Sequence, residues 1–317
     1  TIFFGRKVPS FTNFNDKISI KEKGLIVNTG VSMPDYEKIF YLWLSSKNVK
    51  QSTAANYHIK FFKYVIPYLY ILLNRETNKY LNILKVLGLS TKTVCDVISV
   101  INNFFNFAYN NDYVDNFIHI TRPKIAQDET EIFTKDEVRT LENALYANLD
   151  SVNIGILLSL FTGIRIGELC ALKWTYVDLS NQLIKIRYTL QRVKNIDKES
   201  KKKTIVIIDE PKTKRSRRNI PIPDFLKPLL NQYKSDDEHY LLTGNNKYME
   251  PRTLQKKFKS LLNKINVPYK KFHCLRHTFA TNAYYAGMPI DILSKILGHE
   301  SEEFTKSRYV HSNAIAY

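Results

Sequence analysis

Between Ile118 and Thr134 the sequence loses its helical rhythm. The stretch carries Arg122, Pro123, Lys124 and an acidic patch, and it separates two segments whose apolar residues recur at helical spacing. At 317 residues the chain is long for one domain and fits two. The break therefore reads as an interdomain linker over 118–133, with a second domain running from 134 to 317.

The segment before the break reads as all helix. One helix is predicted from Pro34 to Ser46, with proline in its first turn. A second starts near Ser52 as N-cap and carries Tyr57, Phe61, Phe62 and Val65 at helical spacing, and Pro67 kinks or ends it. A third spans Glu76 to Leu87. A fourth runs from Thr91 to Asn110, with Val94, Val97, Val100, Ile101, Phe104 and Phe105 apolar. The aromatic residues read as core rather than as platforms for stacked bases. Residues 32–117 thus form a helical domain. Residues 1–31, with short β-prone runs, read as an N-terminal arm or linker.

The segment after the break mixes helix and strand. Thr134-Lys135-Asp136-Glu137 is a capping-box pattern. Apolar runs over Ile154–Phe161 and Ile166–Leu172 follow. β-like sequence then occupies Leu183–Leu190, Thr204–Ile208 and Arg217–Ile222, with a polar insert over Lys194–Lys203. Helices return at Asp224–Tyr233, Pro251–Ile265, Leu275–Ala286 and Ile290–Leu297. The expected fold is mostly α in two domains, the second a mixed α/β domain with a small antiparallel sheet.

Charge narrows the partner. The formal net charge is +17, and it is spread along the chain. Residues 1–125 hold 16 Lys/Arg against 8 Asp/Glu, and residues 126–317 hold 31 against 22, so the surpluses are +8 and +9. An imbalance of this size points to a polyanion, with nucleic acid ahead of an acidic membrane surface. The most apolar run, Tyr64 to Leu73, contains Pro67 and is too short to span a bilayer. No signal peptide is visible. Cys95, Cys170 and Cys274 are isolated and lack metal-ligand spacing, so they read as buried thiols in a reducing cytoplasm.

One set of polar residues carries chemistry. Arg165 sits at a glycine turn, Thr162-Gly163-Ile164-Arg165, leading into a helix. Pro211 to Arg218 is a tight basic run with Lys212, Lys214, Arg215, Arg217 and Arg218. His273 and Arg276, three apart, share a helix face. Gly298-His299 follows a helix that ends at glycine, and Tyr309 comes ten residues later. Each alone has a bland reading as a surface cation, a structural histidine or one tyrosine of 20. Together they supply what attack on a phosphodiester needs. Arginine forks match nonbridging phosphate oxygens and stay charged. A phenol with an ordinary pKa near ~10 needs a proton acceptor. A departing 5′ oxygen needs a proton donor, which a desolvated lysine can be.

These residues resemble the tyrosine recombinases, in the branch of phage and conjugative-transposon integrases. The resemblance lies in Thr-Gly-Ile-Arg-Ile-Gly-Glu-Leu at 162–169, Pro-Lys-Thr-Lys at 211–214 and His-Cys-Leu-Arg-His-Thr-Phe-Ala-Thr at 273–281. Leu-Gly-His at 297–299 and Arg-Tyr-Val-His at 308–311 complete it. Ser-Thr-Ala-Ala-Asn-Tyr at 52–57 extends it diffusely into the helical domain. The resemblance implies that Arg165 and Arg276 bind the scissile phosphate and that His299 hydrogen-bonds it. Lys212 would protonate the leaving 5′ oxygen, with Lys214 as its competitor. His273 would manage the tyrosine proton, Glu168 would support, and Tyr309 would form a 3′-phosphotyrosyl bond. Arg215, Arg217 and Arg218 join Lys214 as expected DNA contacts.

The resemblance also makes residues 32–117 a core-type DNA-binding domain and residues 134–317 the catalytic domain, the two forming a clamp around DNA. Implied partners are a double-stranded recombination site, further copies of the chain (a dimer per site, a tetramer in synapsis) and an accessory directionality factor. No metal or nucleotide cofactor is implied, since phosphotyrosine stores the bond energy. Two departures stand out: residues 1–31 are too short for the arm-binding domain common in this branch, and eight residues follow Tyr309 where a longer tail is usual. A type IB topoisomerase shares the chemistry, and a catalytically silent DNA-binding module is the alternative from another class.

Overall fold

The computed structural model describes residues 34–125, 130–197, 200–211 and 214–309. The expected arm over 1–31 lies outside the described residues, as do Lys212 and the side chain of Lys214. The chain divides into two compact units, residues 1–126 with 194–201 and residues 127–193 with 202–317.

The first unit is helical. Helix α1 (Tyr36–Ser45) is capped by Asp35, whose carboxylate accepts from the Lys38 amide at 3.0 Å. Helix α2 (Gln51–Lys60) does not stop at Pro67. It passes into a π turn over Phe61–Val65 and a 3₁₀ turn over Ile66–Tyr68, and then continues as α3 (Leu69–Leu73). Proline lacks an N–H and breaks the α ladder, so the chain changes pitch around it. The Tyr80 hydroxyl donates to the Tyr64 carbonyl at 2.7 Å, which satisfies one carbonyl of the disturbed stretch. Helix α4 (Thr77–Val86) and helix α5 (Thr91–Asn110), capped by Ser90, complete the unit.

The aromatic residues are core, as the spacing predicts. Phe40, Trp43, Phe61, Phe104 and Phe105 are fully buried, and Phe40 stacks on Phe61 with centroids 4.3 Å apart. The expected linker starts inside this unit. Ile118 and Ile120 are buried in its core, and the Asn102 amide group holds the Ile120 backbone by two hydrogen bonds of 2.9 Å.

In the second unit, helix α6 (Lys135–Ala147) opens on the predicted capping box, with Thr134 and Glu137 bonding each other's backbone amides. Helix α7 (Ser151–Thr162) is buried almost all round, and short helix α8 (Ile166–Cys170) follows. Strands β1 (Val177–Asp178), β2 (Leu183–Ile186) and β5 (Arg218–Pro221) form an antiparallel sheet in the order β1-β2-β5. The run Leu183–Leu190, predicted as one strand, is two: β3 (Thr189–Lys194) belongs to a separate pair with β4 (Thr204–Asp209). Helices α9 (Lys227–Tyr233), α10 (Pro251–Lys264), α11 (His273–Tyr285), α12 (Ile290–Leu297) and α13 (Glu302–Tyr309) end the described chain. Helices α7 and α11 pack together in the core, which sets the start of α11 beside the turn that carries Arg165. Among the described residues, no helix is long and apolar enough to cross a membrane. Cys95, Cys170 and Cys274 are all buried, with no disulfide.

Candidate active site

The site is built on the C-terminal ends of two helices. The last carbonyls of a helix lack intrahelical partners and carry the negative end of its dipole, so they attract cations. Helix α12 stops at Gly298, which takes the left-handed conformation at φ 63°. Three successive carbonyls at this end each accept from a guanidinium: Ile296 from Arg218, Leu297 from Arg276 at 2.6 Å and Gly298 from Arg165 at 3.0 Å. Helix α7 ends at Gly163, also left-handed at φ 65°, and its carbonyl takes the other Nη of Arg276 at 2.8 Å. A Cβ at Gly163 would stand 2.6 Å from the Phe279 ring and 3.0 Å from Leu297, so glycine permits both the turn and the close approach of α11 and α12.

Glu168 binds these cations from below. Its carboxylate, almost fully buried, accepts two bonds from Arg218 at 2.9 and 2.8 Å, one from Arg165 Nη1 at 2.9 Å and one from the Arg165 amide at 3.0 Å. Burial alone would raise its pKa. The Arg218 fork, with Arg165 and Arg276 nearby, reverses that and lowers it to about 2. Desolvation and the neighbouring Arg165 and Arg218 lower Arg276 to about 9, still charged at neutral pH. Arg218, expected as a DNA contact, is turned inward instead. Strand alternation puts it on the buried face of β5 with Ile220, where Glu168 meets it. Arg217, its outward neighbour, is exposed and pairs with Glu210 at 3.3 Å, and Arg215 donates to the Glu300 carbonyl.

His299 lies beside Arg276, its Nε2 3.0 Å from Nη2 and its Nδ1 2.8 Å from the Thr305 hydroxyl. Burial, then Arg276, Arg165 and Arg218, lower its pKa to about 3. An open cleft of about 370 Å³ is lined by Arg165, Glu168 and His299, with Pro211 and Ser216 at its side. Tyr309, at the end of α13, is fully buried against Ala280, Leu293 and Leu297. Burial raises its pKa although Arg276, Arg308 and Arg165 act against it, so the phenol is protonated at neutral pH. Its hydroxyl lies 3.0 Å from Nδ1 of His277. Burial, His273, Arg308 and Arg276 lower His277 to about 3, so this imidazole is neutral and can accept.

His273, expected to serve the tyrosine, sits one turn before His277 and packs edge-on against it at 4.6 Å between centroids. Surrounding protein and the cations Arg276, Arg165 and Arg308 lower its pKa to about 4. The structure thus gathers Arg165, Glu168, His273, Arg276, His299 and Tyr309 in one region of the second unit. Sequence reasoning missed His277 and Thr305. Thr305 had a signal, since it precedes Tyr309 by four and shares its helix face. His277 had none beyond adjacency to Arg276.

A helical domain followed by this mixed domain, with arginines held at helix ends beside a histidine and a tyrosine, is the architecture of the tyrosine recombinases. The phage integrase family matches residues 131–315, more than half of the chain, and the chain belongs to that family. A tyrosine recombinase XerC-like protein of Caldanaerobacter subterraneus is 30% identical over 261 residues, 74% of this chain and 66% of that protein, so the chain spans about two thirds of that relative's length. The tyrosine recombinase XerA of Pyrococcus furiosus is 26% identical over 242 residues, 73% of this chain and 74% of that protein. Among solved structures, the Tn1549 transposon integrase in complex with a circular intermediate DNA shares the fold with a TM-score of 0.68 at 20% identity, covering 90% of this chain and 97% of that one. A lambda integrase dimer bound to a core site does so with a TM-score of 0.60 at 18% identity, covering 88% and 95%.

Proposed function

We propose that this chain is a site-specific DNA recombinase, the integrase of a mobile element, which cuts and rejoins duplex DNA through a phosphotyrosine at Tyr309. The observation that carries this reading is that Arg165 and His299 line one cleft, with buried Arg276 bonded to His299 behind it and Tyr309 buried alongside. The scissile phosphate lies in that cleft, and the two guanidinium groups take the charge that builds on its nonbridging oxygens. The Tyr309 oxygen bonds to phosphorus as the bond to the 5′ oxygen breaks. Lys212 protonates that oxygen and His273 receives the phenol proton. The reverse attack by a new 5′ hydroxyl rejoins the strand without nucleotide hydrolysis.

A fully buried phenol cannot meet a phosphate, so the Tyr309 end of α13 opens toward the cleft before attack, with Thr305 one turn earlier staying on His299. The reading as a mobile-element enzyme draws support from a transposase of transposon Tn916 from Enterococcus faecalis, 30% identical over 175 residues, 50% of this chain and 41% of that protein. Lambda integrase has been captured as a tetramer bound to a Holliday junction, at a TM-score of 0.59. The present chain by analogy acts in the cytoplasm as a dimer on each duplex site and a tetramer in synapsis, with an accessory directionality factor.

Incubation with a genomic library, denaturation and sequencing of the DNA that stays bound to protein identifies the site. On a nicked duplex carrying that site, the wild-type chain forms a covalent adduct in excess chelator, and Tyr309→Phe binds equally but forms none. An adduct in the Tyr309→Phe variant would refute Tyr309 as nucleophile. Relaxation of supercoils without joining of two sites would indicate a topoisomerase instead.

A further inference from the structure

His299 has both ring nitrogens engaged, and the partners decide where its proton is. Arg276 can only donate, so Nε2, 3.0 Å from its Nη2, must present a lone pair. A protonated Nε2 would set two donors against each other in a buried contact. The imidazole is therefore neutral, its one proton sits on Nδ1, and it donates to the Thr305 hydroxyl at 2.8 Å. The Thr305 hydroxyl, with its oxygen accepting, turns its own hydrogen toward the Ser301 carbonyl at 3.4 Å. Thr305 is fully buried, and so is Tyr309 four residues later on the same face of α13.

We propose that Thr305 is a positioning residue. Its hydroxyl holds His299 as the Nδ1–H tautomer, keeps the Nε2 lone pair on Arg276, and so ties a phosphate-binding guanidinium, through the histidine, to the helix that carries Tyr309. This inference rests on the recombinase reading for its kinetic consequence, while the tautomer itself does not. Loss of the hydroxyl frees the ring to turn and to take either tautomer, so Arg276 loses the Nε2 acceptor that helps to place its guanidinium. A misplacement of about an ångström at a reacting centre slows chemistry on the order of a hundredfold.

Two measurements test it. In the DNA-free protein labelled with ¹⁵N-histidine, the His299 signals, assigned by their loss in His299→Gln, should show Nδ1 protonated and Nε2 bare. Thr305→Ser should keep that pattern and Thr305→Val should lose it. A wild-type His299 protonated at Nε2 overturns the proposal. In adduct formation on the nicked duplex at saturating DNA, Thr305→Val should fall on the order of ten- to a hundredfold with DNA affinity unchanged. Thr305→Ser should stay within a few-fold of wild type. Equal loss in Thr305→Ser and Thr305→Val would show that the methyl group and packing matter rather than the hydroxyl, and would overturn the proposal. If the wild-type chain forms no adduct, the recombinase reading fails, and the ¹⁵N pattern alone still decides the tautomer.

Discussion

Glu168 is the residue on which the arginine cluster depends. It meets buried Arg218 through a two-bond fork and part-exposed Arg165 through side chain and backbone. Removing one member of a buried ion pair leaves an uncompensated charge, which costs about 3–5 kcal/mol. Glu168→Gln should therefore destabilise the protein by about that amount in urea unfolding, and a loss near zero would show that the arginines are held by carbonyls alone. The pH dependence has a definite sign. The carboxyl falls from 4.5 to about 2 on folding, so its contribution is complete above pH 4.5 and is lost as pH falls toward 2. The stability gap between wild type and Glu168→Gln should shrink over that window. His273, His277 and His299 act in the same direction at higher pH. Their pKa values fall from 6.5 to about 4, 3 and 3, so stability begins to drop as pH falls below 6.5. At this scale the residues that the structure brings together were readable as a set, because few side chains suit phosphate chemistry. The inward turn of Arg218 was not readable, because a basic run looks uniform until strand alternation turns one member inward.

Helix ends hold the site in place, and they test the argument at the scale of elements. Gly163 ends α7, turns the chain toward Arg165 and offers its carbonyl to Arg276. Gly163→Ala forces a left-handed side chain into the Phe279 ring, which should cost about 1–3 kcal/mol. It should also slow adduct formation on the nicked duplex more than it weakens DNA binding, because Arg276 loses its placement and the DNA grip does not. Equal loss in both would mean the turn serves folding alone. The Thr134–Glu137 box before α6 stands where the sequence puts it, whereas Ser52, expected as an N-cap, lies inside α2 behind Lys50. Breaks inside elements were harder. At Pro67 the helix is interrupted by π and 3₁₀ turns, within the expected kink or end, but the change of pitch itself had no local signal. The run Leu183–Leu190 keeps β-prone residues throughout, so nothing local reveals that it serves two sheets.

The division of the molecule shows how two basic surpluses would act on one partner. With +8 before residue 126 and +9 after it, neither unit alone accounts for the charge. If both units contact duplex phosphate, each exposed lysine at the interface releases a counterion, and log affinity falls linearly with log salt. A grip of roughly 6–10 phosphates weakens on the order of 10³–10⁵ between 50 and 200 mM salt. Lys47 in the first unit and Lys256 in the second are both exposed. Lys47→Ala and Lys256→Ala should each flatten the slope by about one where the lysine meets phosphate, and the double variant by about two. Additivity is expected where the two lysines share no phosphate. A slope that answers only to second-unit lysines, with first-unit lysines such as Lys50 and Lys63 equally silent, would confine the DNA to the second unit. The surplus of the helical unit would then serve solubility, and the two-sided grip expected from charge would be wrong.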